Sequence, residues 1–77
     1  MGRYEYGLLK VLIENPGRVY SRGQLMDKVW DDPDMSLERT IDTHIKAIRR
    51  KLNEISADSN MIVTHRGLGY SMKEFEN

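Results

Sequence analysis

One apolar stripe within residues 37–55, LERTIDTHIKAIRRKLNEI, constrains the fold of this chain more than any other feature. Ile41, Ile45, Ile48 and Leu52 follow one another at steps of four, three and four positions. This spacing stacks the side chains on one side of an α-helix. The sequence therefore predicts a long amphipathic helix whose isoleucine stripe is buried against the rest of a small core.

The opposite side of the same helix is cationic. At about 100° per residue, Arg39, Thr43, Lys46 and Arg50 lie opposite the stripe, with the small Ala47 beside them. One interpretation is an ordinary solvated helix surface. The other is a surface that enters the major groove of DNA, which is about 12 Å wide and admits a helix. The helix alone leaves both interpretations open.

A first helix is predicted over residues 4–14, where apolar residues recur at helical spacing, and Asn15-Pro16-Gly17 ends it. Gly7 inside this helix costs about 1 kcal/mol relative to alanine, which indicates that another element packs closely against it. Residues 19–20 are at most a very short strand.

A second helix is predicted to begin after Ser21, because Ser21 and Gln24 have the spacing of a capping box. Residues 31–34, DDPD, break this helix, and Ser36 is placed to cap the long helix that follows. The apolar positions of the second helix are Leu25, Met26, Val29 and Trp30.

Residues 61–64 and 68–72 predict two strands joined by a turn at Arg66-Gly67, where glycine permits a positive φ. The simplest interpretation is a solvent-exposed hairpin. An arginine at a narrow turn also suits the negative potential of a narrow DNA minor groove. Because the basic helix directly precedes the hairpin, we favour DNA. Three helices followed by a hairpin predict a winged helix-turn-helix, a mainly α fold with a small β-sheet.

Charge is distributed unevenly, although the chain of 77 residues has a formal net charge of zero. Residues 27–38 have a local charge of −4, with five acidic residues against Lys28, whereas residues 39–66 have a local charge of +3.

The length allows one domain, and without cysteine there is no disulfide or thiolate site. Without an apolar run of about 18 residues or a signal-peptide pattern, we expect a soluble, cytoplasmic protein.

Other function classes have weaker support. His44 and His65 lie 21 positions apart without another soft ligand, and no nucleophile–base pair stands out, so we predict no enzyme, metal or cofactor. The alternative function is a winged-helix protein-interaction module that uses the acidic loop and exposed apolar surface. The salt dependence of binding distinguishes this alternative from DNA binding, because contacts with DNA phosphates weaken steeply as the salt concentration rises. A cluster of acidic residues could suggest a cation site, but it lacks the glycine and the spacing of a calcium loop. Its members are Asp31, Asp32, Asp34 and Glu38.

Three segments in order resemble the C-terminal effector domain of OmpR/PhoB-type response regulators: RYEYGLLKVLIENPGRVYSRGQLMDKVW, ERTIDTHIKAIRRKL and THRGLGYSM. The resemblance covers residues 3–72. It implies a winged helix whose third helix lies in the major groove of double-stranded DNA while the wing contacts the adjacent minor groove. It also implies transcription regulation as the output of a two-component phosphorelay, with a receiver domain in the full-length protein.

Matched position by position, the resemblance implies DNA contacts of two kinds. The residues at base-reading positions are Asp42, Thr43, Lys46, Ala47 and Arg66. Those at backbone-contacting positions are Arg39, His44, Arg49, Arg50 and Thr64. Family members often have a long basic residue where this chain has Ala47, so base contact there is expected to be weaker or limited to a methyl group.

The resemblance also implies partners other than DNA. Family members usually bind tandem half-sites as head-to-tail dimers. One loop matches a family segment that faces RNA polymerase or a neighbouring subunit, and it contains Asp31, Asp32, Asp34, Met35 and Leu37.

Family domains begin with a four-stranded sheet that has no counterpart in this sequence. We expect Met1 and Gly2 to be a remnant outside the domain and residues 73–77 to be a C-terminal tail. Without the sheet, the apolar surface of Leu8, Val11 and Leu12 is expected to be poorly covered, which favours self-association or low stability.

Overall fold

The structure, a computed structural model, describes residues 2–31, 39–55 and 61–74. Its elements are α1 (Arg3–Glu14), α2 (Arg22–Val29), α3 (Arg39–Ile55), β1 (Ile62–His65) and β2 (Gly69–Met72). The prediction of three helices and a C-terminal hairpin is confirmed. The predicted cap at Ser36 lies outside the described residues, as does most of the acidic loop.

The two shorter helices begin and pack as their local sequences predict. In the capping box of α2, Ser21 Oγ accepts from the amide of Gln24 at 3.1 Å, and Gln24 Oε1 accepts from the amide of Ser21 at 2.9 Å. A Cβ at Gly7 would lie 2.8 Å from Cγ1 of Val29, so the glycine lets α1 and α2 approach closely. Trp30 caps the end of α2 rather than belonging to it.

The hairpin, which we call the wing, has an antiparallel register in which Ile62 pairs with Met72 and Thr64 with Tyr70. Gly67, with φ of +75°, lies in the turn between the strands. Tyr20, just before α2, forms an isolated bridge with Tyr70, and their amide-to-carbonyl distances are 2.8 and 2.9 Å. The predicted short strand is therefore reduced to one bridge, which ties the wing to the start of α2.

The core lies where the three helices meet β2 and the Tyr20 bridge. The predicted stripe of α3 faces inward, and Ile41, Ile45 and Ile48 are at most 1% exposed. Every buried side-chain nitrogen or oxygen in the described residues has a hydrogen-bond partner. The other buried hydrophobic residues are Leu8, Leu12, Tyr20, Leu25, Met26, Trp30, Leu52, Ile62, Tyr70 and Met72.

The prediction that Leu8, Val11 and Leu12 are poorly covered is wrong. Leu8 and Leu12 are fully buried, and Val11 is half-buried, because this side of α1 packs against α2, α3 and β2. The exposed apolar residues of α1 are Tyr6 and Ile13, which are 61% and 53% exposed. Together with Leu9, which is half-buried and also packs against the core, we call them the outer α1 patch.

None of the helices in the described ranges is both long enough and apolar enough to cross a lipid bilayer.

Candidate nucleic-acid interface

The solvent-facing ridge of α3 has the polarity that the sequence predicts. Arg39, Thr43, Lys46 and Arg50 are all exposed, and Ala47 is half-buried between them. Arg39, Lys46 and Arg50 form no salt bridge with any residue in the described ranges. Their charges therefore face solvent, where an anionic partner can neutralise them.

Arg49, on one flank of α3, contacts the wing. Its Nη2 donates to the carbonyl oxygen of Ile62 at 2.9 Å and to Oγ1 of Thr64 at 2.6 Å. Its guanidinium carbon lies 5.8 Å from the ring centroid of Tyr70. The structure thus brings together two residues predicted to contact the DNA backbone, Arg49 and Thr64, and it pairs them with each other.

Asp42, on the same flank, also contacts residues of its own chain. Its Oδ1 accepts from the hydroxyl of Tyr70 at 2.5 Å, and its Oδ2 accepts from Nη1 of Arg22 at 3.0 Å. Burial, together with the hydrogen bond to the Asp42 carboxylate, raises the pKa of Tyr70 to about 12, so its phenol is neutral and donates. Sequence analysis missed Arg22 and Tyr70; the only local signal for Arg22 is its position at the start of α2.

An open groove of about 330 Å³ is bordered by the start of α2, the start of α3 and the wing. Ser21, Arg22, Asp42 and residues 64–70 line this groove. Arg66 is exposed beside it, next to Gly67 at the tip of the wing. The wing arginine and the first turn of α3 therefore border one opening.

His44, on the opposite flank of α3, packs against aromatic side chains. The rings of Tyr4 and Trp30 are stacked with their centroids 4.3 Å apart, and the His44 ring is tilted against them at 6.1 and 5.6 Å. This half-buried position joins α1, the end of α2 and α3. The structure thus places this predicted backbone contact at a junction between helices.

A second contact on this flank is the pair formed by Lys51 of α3 and Glu5 of α1, whose Nζ and Oε2 lie 2.5 Å apart. The Lys51 ammonium, followed by the amide of Gly2, lowers the pKa of Glu5. Of the predicted partner loop, the structure describes Asp31, which is exposed and accepts from Arg3 at 2.8 Å.

Residues 1–72 match the family model described as "Transcriptional regulatory protein, C terminal". The chain belongs to this family. It is 56% identical over 71 residues to Transcriptional regulatory protein CreB of Escherichia coli K12, a match that covers 92% of this chain and 31% of the relative. It is 44% identical over 69 residues to Sensory transduction protein RegX3 of Mycolicibacterium smegmatis, with 90% and 30% covered. The chain thus spans about a third of the length of these curated relatives.

Solved structures agree with this assignment. The response regulator AdeR DNA binding domain, crystallised in complex with an intercistronic region, is similar with a TM-score of 0.86 and 34% identity over 99% of this chain and 78% of that one. The response regulator DrrB, an OmpR/PhoB homolog from Thermotoga maritima, is similar with a TM-score of 0.79 and 32% identity over 96% and 33%. These likenesses confirm the predicted winged helix and the OmpR/PhoB-type response regulator effector family, which is not enzymatic.

Proposed function

We propose that this domain binds double-stranded DNA sequence-specifically and regulates transcription as the output domain of a two-component response regulator. The observation that carries the proposal is the exposed cationic ridge of α3 beside the exposed wing arginine, Arg66. AdeR, to which the chain is similar, is described as a DNA binding domain in complex with an intercistronic region, and this supports the same ligand class here.

The side chains on the ridge divide by chemistry into base readers and phosphate contacts. Lys46, near the middle of the ridge, has the length and charge to reach a guanine edge, and Thr43 offers a methyl group to a thymine methyl. Ala47 is small enough for the helix to approach the base pairs closely. Arg39 and Arg50, towards the two ends of the ridge, suit the phosphates on the groove walls. Arg66 suits a narrow minor groove.

The test begins with selection of bound duplexes from a random pool, at two salt concentrations. On the selected duplex, Lys46→Ala is expected to cost about 1–3 kcal/mol of binding free energy and to reduce discrimination against other sequences. Arg50→Ala should weaken selected and random duplexes about equally and reduce the salt slope by about 1. Lys28→Ala, which removes an exposed lysine of α2 that does not line the groove, is the matched control and should leave affinity nearly unchanged.

Two results would contradict the proposal. One is the absence of duplex binding even at low salt, which would instead favour the protein-interaction module if a protein partner bound. The other is an identical change for Lys46→Ala and Arg50→Ala on both kinds of duplex, because base and phosphate contacts respond differently to sequence.

We further propose the partners that the family assignment implies for the whole protein: a receiver domain, tandem DNA half-sites, and RNA polymerase at the acidic loop, in the cytoplasm. Of that loop the structure describes Asp31, whose exposure suits a basic protein surface. Replacing the acidic residues of the loop with neutral ones should reduce transcription activation while leaving duplex affinity unchanged. An equal loss of both activities would refute the role of the loop in contacting polymerase.

Self-association was predicted through Leu8, Val11 and Leu12, which are covered in the structure. We propose instead that the outer α1 patch is the surface through which two copies of the chain associate. Lys10 and Glu14 flank the patch, so two antiparallel copies of α1 can place the lysine of each near the glutamate of the other. Analytical ultracentrifugation over a concentration series should show a dimer that Ile13→Ser weakens. Ile55→Ser, at an 80% exposed site on α3, is the control. A monomer at every concentration would rule this dimer out.

A further inference from the structure

We infer that Asp42 is a positioning residue that fixes the wing against α3, and that it does not read a base. The inference rests on the proposed DNA-binding function and gives a different role to one residue of the expected base-reading set. Its basis is that both carboxylate oxygens of Asp42 are engaged within the chain, one by the wing and one by α2.

The contact between Asp42 and Tyr70 reaches the centre of the wing. Tyr70 pairs with Thr64 across the hairpin and with Tyr20 through its backbone. The ring of Tyr70 is buried, so the phenol has little freedom to choose another partner. A hydrogen bond to an ionised acceptor is stronger than one between neutral groups. Asp42 therefore connects the first turn of α3 to a buried, strand-paired residue of β2.

Arg49 supplies a second connection. It lies seven residues after Asp42, about 10 Å along the helix axis and on the same flank. It contacts β1 at Ile62 and Thr64, whereas Asp42 contacts β2 at Tyr70. Two contacts at separate points of α3 and on separate strands fix both the distance and the angle between wing and helix.

Arg22 makes this arrangement compatible with a DNA-facing groove. An unpaired carboxylate at this position would repel phosphates, and the guanidinium of Arg22 neutralises it at 3.0 Å. A carboxylate has about four acceptor sites, so a cytosine amino group could be accepted only at a second lone pair of an oxygen whose direction Tyr70 or Arg22 already fixes. Because the contact with Tyr70 is partly buried, turning the carboxylate away from it towards a base would leave a phenol hydroxyl without a partner. The geometry thus favours holding the wing over reading a base.

The first experiment uses the free protein and does not depend on DNA. Backbone residual dipolar couplings measure the orientation of the wing relative to α3 in the wild type, Asp42→Ala and Asp42→Asn. We expect Asp42→Ala to change the orientation and Asp42→Asn, which keeps an acceptor for Tyr70, to change it less. Thr43→Ala, one position along the helix, is the control and should not change it. An unchanged orientation in Asp42→Ala overturns the inference.

The second experiment is a double-mutant cycle between Asp42→Ala and Arg66→Ala on the selected duplex. Independent residues multiply their effects on affinity within about twofold, whereas coupled residues depart by more. We expect the Arg66→Ala loss to shrink by more than about threefold in the Asp42→Ala background, because an unfixed wing no longer aims Arg66. Tyr70→Phe should also reduce the loss of affinity that Arg66→Ala causes.

A base-reading Asp42 gives the opposite pattern. The affinity lost in Asp42→Ala would then depend on the identity of a single base pair of the duplex. In addition, the effects of Asp42→Ala and Arg66→Ala on affinity would multiply independently. Either result overturns the inference. If the wild type binds no duplex but the wing of Asp42→Ala changes orientation, the positioning role is supported and the proposed function fails instead.

Discussion

Two glycines of the wing, two positions apart, allow a matched test of how the wing is held. Gly67 has φ of +75° and would place a new Cβ in open space, with no atom within 4 Å. Gly69 has φ of +142° and would place it 1.9 Å from the carbonyl oxygen of Tyr20. That oxygen accepts the amide of Tyr70, so the clash falls on the bridge between the wing and the start of α2.

The expected costs differ several-fold. Gly67→Ala adds only the strain of a left-handed alanine, about 1 kcal/mol. Gly69→Ala adds about 1–3 kcal/mol of backbone strain. Relief of its clash also separates Tyr20 from Tyr70 and breaks two hydrogen bonds, each of which contributes about 1 kcal/mol. We therefore expect Gly69→Ala to lower the free energy of unfolding by about 3–5 kcal/mol, out of roughly 4–12 kcal/mol for a domain of this size.

Urea and thermal denaturation, both followed by circular dichroism, compare each variant with the wild type. The melting temperature should fall by about 4–8 °C for Gly67→Ala and by several times as much for Gly69→Ala. Equal losses for the two variants would refute the reasoning, because they would mean that positive φ alone, and not the approach of the Tyr20 backbone, limits substitution in the wing.

Three further predictions concern stability. Because Lys51 lowers the pKa of Glu5, the Glu5 carboxylate stabilises the fold above its ordinary pKa of 4.5, and this stabilisation is lost as the pH falls through the pKa of the folded state. In urea titrations, Glu5→Gln should reduce the loss of unfolding free energy at acidic pH. The raised pKa of Tyr70 makes the free energy of unfolding fall as the pH rises from 10.0 towards about 12, and Tyr70→Phe should remove one late-titrating phenol from an ultraviolet absorbance titration. Leu8→Ala should cost about 2–5 kcal/mol in urea denaturation, whereas Ile13→Ala should stay within about 0.5 kcal/mol, and comparable losses would contradict the burial of α1 described above.

The parts of the fold that sequence predicted correctly depend on residues close together along the chain. The stripe of α3 repeats within a few positions, and a capping box such as that of Ser21 and Gln24 spans three. Gly67 similarly satisfies a turn whose ends are adjacent in the hairpin. In each case the physical requirement and the residue that meets it lie in one short segment.

The parts that sequence did not predict depend on residues far apart. Tyr20 and Tyr70 meet across 50 positions, and no feature near either one specifies the other. The apolar pattern of α1 correctly marked Leu8 and Leu12 as residues that need cover. It did not say which element covers them, because a sheet and a pair of helices bury the same pattern equally well.

The candidate site shows the same division around the circumference of α3. Positions opposite the stripe could be predicted as exposed, since no other element can reach them. Positions on the flanks could not be assigned, because their partners depend on which element lies beside the helix. The assignment of Asp42 and Arg49 to DNA, which followed from the family resemblance, stays a prediction; what the sequence did not indicate is that both residues also contact the wing.

Both flanks of α3 contact neighbouring elements of the folded domain. One flank contacts the wing through Asp42 and Arg49, and the other contacts α1 through His44 and Lys51. We expect these four contacts to hold the helix at a fixed angle to its neighbours. Substitutions there should therefore alter affinity through geometry, on every DNA sequence alike. A change of sequence preference should instead come from Arg66 on the wing and from the narrow ridge between the two flanks, centred on Lys46, whose exposed side chains make no salt bridge within the described part of the chain.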